Sequence, residues 1–441
     1  VCAFNSCTAL KNAVIGDSVE TIAESAFNSC TSMTDVTFGK NVKTIGNYAF
    51  NYCASLKSVK LPDSVESIGS WAFRDDDAIT ELTFGKGIKT INDYAFYDCG
   101  GITSVKFPSS LTSIGYESFR NCSSLKEIEI NGNGATIGNY AFEYCYNVES
   151  IVIGDGVKNI NYGAFYDNRN LKSLTISDSV ETIGDYAFYN CRAFEELALS
   201  EDLKTIGNWA FQSCIGLKNI SIGKNLSSIS STAFSGDTAL ESIEVSEDNT
   251  TYSDYDGALL NKEQTSILLY PKSKAGDYTI PDTVTSIGDR AFENSVGLTG
   301  INTGNGVKNI GVCAFNSCTA LKNAVIGDSV ETIAESAFNY CTSLKSVKLP
   351  DSVESIGTSA FRNDDAITEG TFGNGIKTIG NSAFYDCDSI TAVRIPSSLT
   401  YLGNSSFANC DSLKNIEING NGATIGNYAF QYRNNVESIV I

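Results

Sequence analysis

A phenylalanine returns every 23 residues along this chain. It stands at 4, 27, 50, 73, 96, 119, 142, 165, 188, 211 and 234, then at 292, 315, 338, 361, 384, 407 and 430, nearly always after an alanine. Every interval is 23 except one of 58. A fixed period of this length is the mark of a solenoid, whose units lean only on the units before and after them. A length of 441 residues would otherwise suggest roughly two to four domains. The repeat instead predicts one solenoid over 1–441, about 18 coils of 23 residues.

Counting the Phe as zero, apolar residues recur at +6, +9, +11, +15 and +18 with Ala at +22, as in Leu56, Val59, Leu61, Val65, Ile68 and Ala72. The stretch from +6 to +11 ends in period-two alternation and predicts a short strand. Stacking at the period sets these strands side by side in a parallel sheet. Pro62, Pro108, Pro281, Pro350 and Pro396 all stand at +12, where the chain leaves the ladder and a missing N–H is harmless.

A second extended piece is expected at +15 to +18. Position +19 is usually Gly (Gly46, Gly69, Gly115, Gly138, Gly184, Gly207), with Asn at Asn92 and Asn161. That substitution predicts a positive φ, although Ala23, Ser230 and Ala334 depart from it. The Ala-Phe stretch that follows is expected to form one helical turn dropping both side chains inward. The predicted class is a β-dominated α/β repeat solenoid with a parallel sheet, short extended segments and single helical turns.

The interval of 58 exceeds two periods by 12 residues. Within it, Asp256-Gly257-Ala258-Leu259-Leu260-Asn261, a polar turn at Lys262-Glu263-Gln264 and Thr265-Ser266-Ile267-Leu268-Leu269-Tyr270-Pro271 predict a β-hairpin, inserted at about 246–279. A larger duplication is also present. Residues 1–30 recur at 312–341 with only Ser29 becoming Tyr340, and residues 124–153 recur in slightly altered form at 412–441.

The run Cys53…Leu56…Val59-Lys60-Leu61-Pro62-Asp63-Ser64-Val65…Ile68-Gly69…Ala72-Phe73, with counterparts in nearly every coil, resembles the BspA-like leucine-rich repeats, the 23-residue subtype of bacterial surface proteins. The likeness covers almost the whole chain outside the insertion. It implies a curved α/β solenoid of leucine-rich-repeat type with the parallel sheet on its concave face, exported by the cell and used for adhesion or surface interaction, and it brings no catalytic residues.

Charge and composition narrow the function. With 31 basic against 51 acidic residues the net charge is -20, which repels phosphate backbones and anionic lipid. Nucleic-acid binding is therefore not expected, and with no apolar stretch near the roughly 18 residues of a span, neither is membrane insertion of this segment. The absence of histidine removes the commonest general base and zinc ligand. No phosphate loop, nucleophile elbow or metal motif is present, so neither enzyme activity nor a cofactor is expected. Both chain ends fall inside a repeat, so signal and anchor are expected in flanking sequence.

Twelve of the 14 cysteines occupy +3. Neighbouring coils lie about 4.8 Å apart, within disulfide reach. However, the column is broken at Asp76, Asn168, Asp237, Ser295, Asp364 and Arg433 into runs that include odd numbers. Free buried thiols are expected, with Cys2–Cys7 and Cys313–Cys318 the pairs most open to bridging. The acidic runs Asp75-Asp76-Asp77 and Asp364-Asp365 lack a Gly-turned calcium loop and are expected to be solvated turns.

Two surfaces remain. The sheet face at +8 and +10 (Ser58, Lys60, Glu81, Thr83, Lys106, Glu127, Glu129, Lys348) shows no stripe. The edge at -2 carries Tyr48, Trp71, Tyr94, Tyr140, Tyr186 and Trp209, with Tyr97, Tyr166 and Tyr189 at +1. After the insertion the -2 column reads Arg290, Cys313, Ser336, Ser359, Ser382 and Ser405. The expectation is a non-catalytic, extracellular or cell-surface interaction module that binds protein partners, such as host matrix or another cell surface, through the -2 rings. The alternatives are a carbohydrate-binding module, since exposed Trp and Tyr also suit glycans, and a structural spacer that projects another domain.

Overall fold

The computed structural model describes residues 1–419, 422–432 and 435–440. The chain divides into two compact units, Val1–Asp237 and Thr238–Ile441. Each is a β-solenoid of leucine-rich-repeat type, with no helix among the described residues.

In Val1–Asp237 each coil contributes two strands. One is Ser58–Lys60 in the coil of Phe50, and it pairs in parallel with its copy 23 residues on, Val59 facing Leu82. The other is only Ser67–Ile68, with Ile68 facing Ile91. The shorter strand builds the longer sheet. Ten such strands, from Thr21–Ile22 to Ser228–Ile229, form one unbroken sheet. The first track is divided, with four strands from Asn12–Val14 to Glu81–Thr83 and four more from Ser104–Phe107 to Ser173–Ile176. In Thr238–Ile441 the first track is an eight-stranded sheet from Gly276–Thr279 to Ser438–Val440. The prolines do end the strands, each opening a turn such as Val65 N–H to Pro62 O at 3.1 Å.

The Phe column forms the core. Phe50, Phe73 and Phe96 have no exposed surface and stack face to face, with centroids 5.1 and 5.0 Å apart. Leu56, Val59, Val65 and Ile68 close the coil around them. At +3 the thiol of Cys53 donates to Phe27 O one coil back, at 3.2 Å, and Cys99 does the same to Phe73 O at 2.9 Å. All fourteen cysteines are free, Cys2, Cys7, Cys313 and Cys318 among them.

The expected helical turn is absent. Around Phe50 the amides alternate in direction: Tyr48, Phe50 and Tyr52 donate to Ser70 O, Ala72 O and Arg74 O of the next coil, at 2.9, 2.7 and 3.0 Å. Ala49, Asn51 and Cys53 instead close three-residue turns at 3.2–3.3 Å. A helix would keep all these donors inside one coil and leave the neighbour's carbonyls unpaired. The alternation requires left-handed residues at -2 and +2, and Tyr48, Tyr52, Trp71 and Asp75 have φ of 56°, 57°, 61° and 57°. Thr232, also at -2, is not among the positive-φ residues; a β-branched side chain resists that region. Its Oγ1 accepts the Trp209 amide instead, at 3.3 Å.

The +19 glycines are therefore not the positive-φ positions, and Gly46, Gly69 and Gly115 are absent from that set. They are small because coils meet backbone to backbone there. A Cβ on Gly69 would lie 2.5 Å from Asn47 N and 2.6 Å from Gly46 C.

The insertion is a meander rather than a single hairpin. Ala258–Asn261 pairs antiparallel with Ser266–Leu269, as expected, and on its other side with Tyr252–Tyr255 across a turn with Asp256 and Gly257 at φ 49° and 77°. Ser266–Leu269 then joins the parallel ladder, Ile267 facing Ile287. Tyr270 takes the Phe position: it stacks on Phe292 at 4.6 Å and donates its amide to Ala291 O at 2.8 Å.

These assignments predict opposite outcomes for two small substitutions, read as urea midpoints. Ser359→Gly, at φ 54°, should be neutral or stabilising by up to about 1 kcal/mol. Gly69→Ala should cost about 1–3 kcal/mol. The reverse order would restore a positive-φ reading of +19.

Candidate interaction surface

A left-handed residue at -2 lies on the outer rim of the turn, and in Val1–Asp237 that rim carries rings. Tyr48 lies over Trp71 (6.2 Å, 2° between planes), and Trp71 lies over Tyr94 (3.9 Å, 8°). Tyr186 lies over Trp209 (5.0 Å, 25°). The other coils in this stretch depart from the column, with Glu117 and Gly163 at -2. There the ring arrives one residue early. Tyr116 bridges Tyr94 and Tyr140 at 5.3 and 6.0 Å, and Tyr162 bridges Tyr140 and Tyr186 at 5.2 and 5.3 Å.

The six predicted rings thus belong to one run of eight: Tyr48, Trp71, Tyr94, Tyr116, Tyr140, Tyr162, Tyr186 and Trp209. Gly163 makes room for it, since a Cβ there would lie 2.6 Å from the Tyr140 ring. Tyr116 and Tyr162 were missed by strict counting at -2. The signal was the displaced tyrosine in Gly-Tyr-Glu-Ser-Phe (115–119) and Asn-Tyr-Gly-Ala-Phe (161–165).

Stacking covers ring faces along Tyr48–Trp71–Tyr94 and at Tyr186–Trp209, while Tyr116 and Tyr162 meet their neighbours edge-on or tilted. Tyr48 and Tyr162 are exposed and the other six half-buried. Beside the run, Arg74 lies 4.7 Å from the centroid of Trp71 and 5.6 Å from that of Tyr97. Arg120 lies 5.2 Å from the Tyr144 centroid and pairs with Glu117 at 2.7 Å and Glu143 at 3.0 Å. Tyr166 stacks on Tyr189 at 4.6 Å. Burial raises the Tyr94 and Tyr186 hydroxyls and carries Tyr166 up to about 12. The rim at neutral pH therefore offers neutral phenols, with the Arg74 guanidinium against Trp71.

The remaining candidates separate. Sheet-face charges pair with one another between coils, Lys60 with Glu81 at 2.9 Å and Lys106 with Glu129 at 2.7 Å. The acidic runs are not simply solvated turns, because Asp76 and Asp364 are turned inward with no exposed surface. Asp75 and Asp77 line an open hollow of about 350 Å³ with Asp98, Tyr144 and Tyr146. Arg433, which interrupts the +3 column, lies outside the described residues. Among the described residues no three His, Cys, Asp or Glu side chains converge as a metal site would require.

Stacked coils around a Phe ladder, with side chains displayed on a rigid rim, define a leucine-rich-repeat protein-interaction module. The chain belongs to the BspA type leucine-rich repeat family, whose description "BspA type Leucine rich repeat region (6 copies)" matches residues 1–126, 43–172, 135–256, 269–387 and 354–441. Repeats of this family and fold are typically non-enzymatic. Among solved structures, a leucine-rich repeat protein from Eubacterium ventriosum is similar at 27% identity, with a TM-score of 0.62, over 76% of this chain and 83% of that one. A leucine rich cell surface protein from Faecalibacterium prausnitzii shares the fold at 24% identity and a TM-score of 0.54, over 93% and 88%. Comparison with curated proteins gives no match. Among the described residues no helix is long and apolar enough to cross a membrane.

Thiol chemistry checks the core. The chain denatured without reductant should titrate close to all 14 thiols. The folded chain should react first at exposed Cys2 and Cys7 and more slowly at half-buried Cys313. A denatured count near zero would establish bridges in place of the thiol column.

Proposed function

We propose that this chain is an adhesin-like, cell-surface interaction module that binds a protein partner through the aromatic rim of Val1–Asp237. The observation that carries the reading is the continuous run of eight rings, with Arg74 set against Trp71. Trp, Tyr and Arg are the residues that dominate binding energy at protein interfaces, and here they are held rigid before a partner arrives. Little ordering entropy is then left to lose on association.

The ring geometry favours protein over glycan. A sugar that stacks on an aromatic residue needs an open ring face, and at 3.9 Å and 8° Trp71 and Tyr94 cover each other. What stays outward is edge, hydroxyl and guanidinium, which suits side chains and backbone of a protein surface. Family membership supports an exported location, on a cell surface or in the extracellular space, and matrix or surface proteins of another cell are the partners proposed.

The test is a panel of extracellular-matrix proteins and glycans at physiological salt, followed by Trp71→Ala/Trp209→Ala on any hit. A saturable protein hit that weakens by about tenfold or more, with the melting transition retained, is the expected result. Ser359→Ala/Ser382→Ala, in the equivalent column of Thr238–Ile441, should leave binding unchanged. A glycan hit, or a protein hit indifferent to both tryptophans, would remove the rim as the site.

A further inference from the structure

Position +3 seals polar chemistry inside the core, and its occupants share one task. The thiols of Cys145 and Cys341 donate to Phe119 O and Phe315 O, both at 3.2 Å, a carbonyl 26 residues back in each case. Where Asn168 replaces the thiol, its Nδ2 donates to the equivalent carbonyl, Phe142 O, at 3.0 Å, and to Phe165 O at 2.8 Å. Thiol and amide alike fill the column as hydrogen-bond donors to the preceding Phe carbonyl.

Asp76 and Asp364 occupy that column with no exposed surface. An ionised carboxylate has only acceptors and would place a full charge against a carbonyl oxygen in a medium that penalises buried charge. Asp364 Oδ1 accepts the Cys341 amide at 2.7 Å, which leaves Oδ2 without a partner. At Asp76 the Cys53 amide is the corresponding neighbour, but neither oxygen reaches hydrogen-bond geometry. Both acids stand by register in the column where thiol and amide carry a hydrogen.

The groups that face these acids supply no compensating cation. Asp76 lies between Cys53 and Cys99 with Asp75 and Asp77 beside it, and Arg74 pairs instead with Asp75 at 3.0 Å. Asp364 faces Cys341 and Cys387, with Asp365 and Cys318 nearby. Burial first, then the adjacent carboxylates, push both acids well above the ordinary range, against the opposing pull of the Cys53 and Cys341 amides.

We propose that Asp76 and Asp364 are protonated acids at neutral pH, each hydroxyl donating to the Phe carbonyl one coil back, Phe50 and Phe338, and that their ionisation loosens the stack. The folded acid keeps its proton at a pH where the unfolded chain has released it. The site is therefore neutral to stability in acid and increasingly unfavourable as pH rises from the ordinary carboxylate range toward the folded titration point. The two coils form proton-dependent weak points in the core.

Asp76→Asn/Asp364→Asn tests this, because Asn keeps the donor without titrating, as Asn168 does. Melting temperatures of parent and variant should diverge with pH. The variant's advantage should grow by roughly 5 °C or more between pH 5 and pH 8. At pH 7 the parent should show the infrared carbonyl band of a buried, protonated carboxylic acid, and the variant should lose the share of it that these two acids supply. A constant margin at both pH values, or a parent without that band, overturns the proposal. If the Asn variant does not fold, Asp76→Cys/Asp364→Cys restores the column's usual donor, and the band in the parent decides by itself.

Discussion

The bond on which the structure depends runs from the amide of a core Phe to the carbonyl of the residue, usually Ala, that precedes the next one, as from Phe50 to Ala72 at 2.7 Å, from Phe73 to Ala95 at 2.8 Å and from Phe96 to Ser118 at 2.7 Å. It sets one coil on another at strand spacing, and side-chain geometry then follows. Rings one coil apart must lie face to face, and a +3 side chain must lie within reach of the preceding Phe carbonyl. Wherever two backbones meet directly, the residue must be small. Each residue's main neighbour is its counterpart 23 positions away, so a column succeeds when its members are compatible with themselves. Phe on Phe and Ile on Ile satisfy this directly. A carboxylate column would not, and Asp76 and Asp364 stand singly between cysteines.

This rule explains what could be read before the structure. Period, phase, strand positions and the proline stops follow from which side chains face inward, and that is written in the apolar pattern. The hydrogen-bonding direction of the turn is not, because a helical turn and alternating left-handed turns both bury Ala and Phe. Only the carbonyls of the neighbouring coil decide between them. Position +19 misled for a related reason: a recurring Gly reports that a Cβ is unwelcome without saying whether φ or a neighbour forbids it. Tyr270 was hidden because the insertion removed the count that would have identified it as the aromatic of its coil.

The rim shows the same division. Its column at -2 was legible, but its continuity was not, because Tyr116 and Tyr162 enter from the adjacent position in the coils where -2 is Glu117 or Gly163. Two backbone positions thus feed one line of rings. A left-handed residue holds its side chain at the outer edge of the turn at a cost of about 1–2 kcal/mol for a non-glycine, and the ladder bonds offset that cost in coil after coil. The backbone consequently fixes where a displayed side chain sits while leaving its identity open.

That openness can be weighed within the chain. Residues 50–73 and 338–361 are the same coil written twice, differing only at Ala54/Thr342, Ser70/Thr358 and Trp71/Ser359. The Phe, the thiol, the proline stop and the +19 glycine are unchanged, and Trp71 and Ser359 adopt nearly the same backbone, φ 61° and 54°. Ala72 and Ala360 are buried alike. All three differences fall in the turn segment, outside the strands. The tryptophan is therefore not needed to close this turn or to fill the core beneath it, since serine occupies the same place in an otherwise equivalent coil. Its ring contributes contact with Tyr94 and an outward edge. In the second copy Tyr94's counterpart is Ser382, so ring contact and outward edge vary together while the coil persists. A side chain that the fold accepts without requiring, recurring along one rim, is what the proposed contact surface rests on.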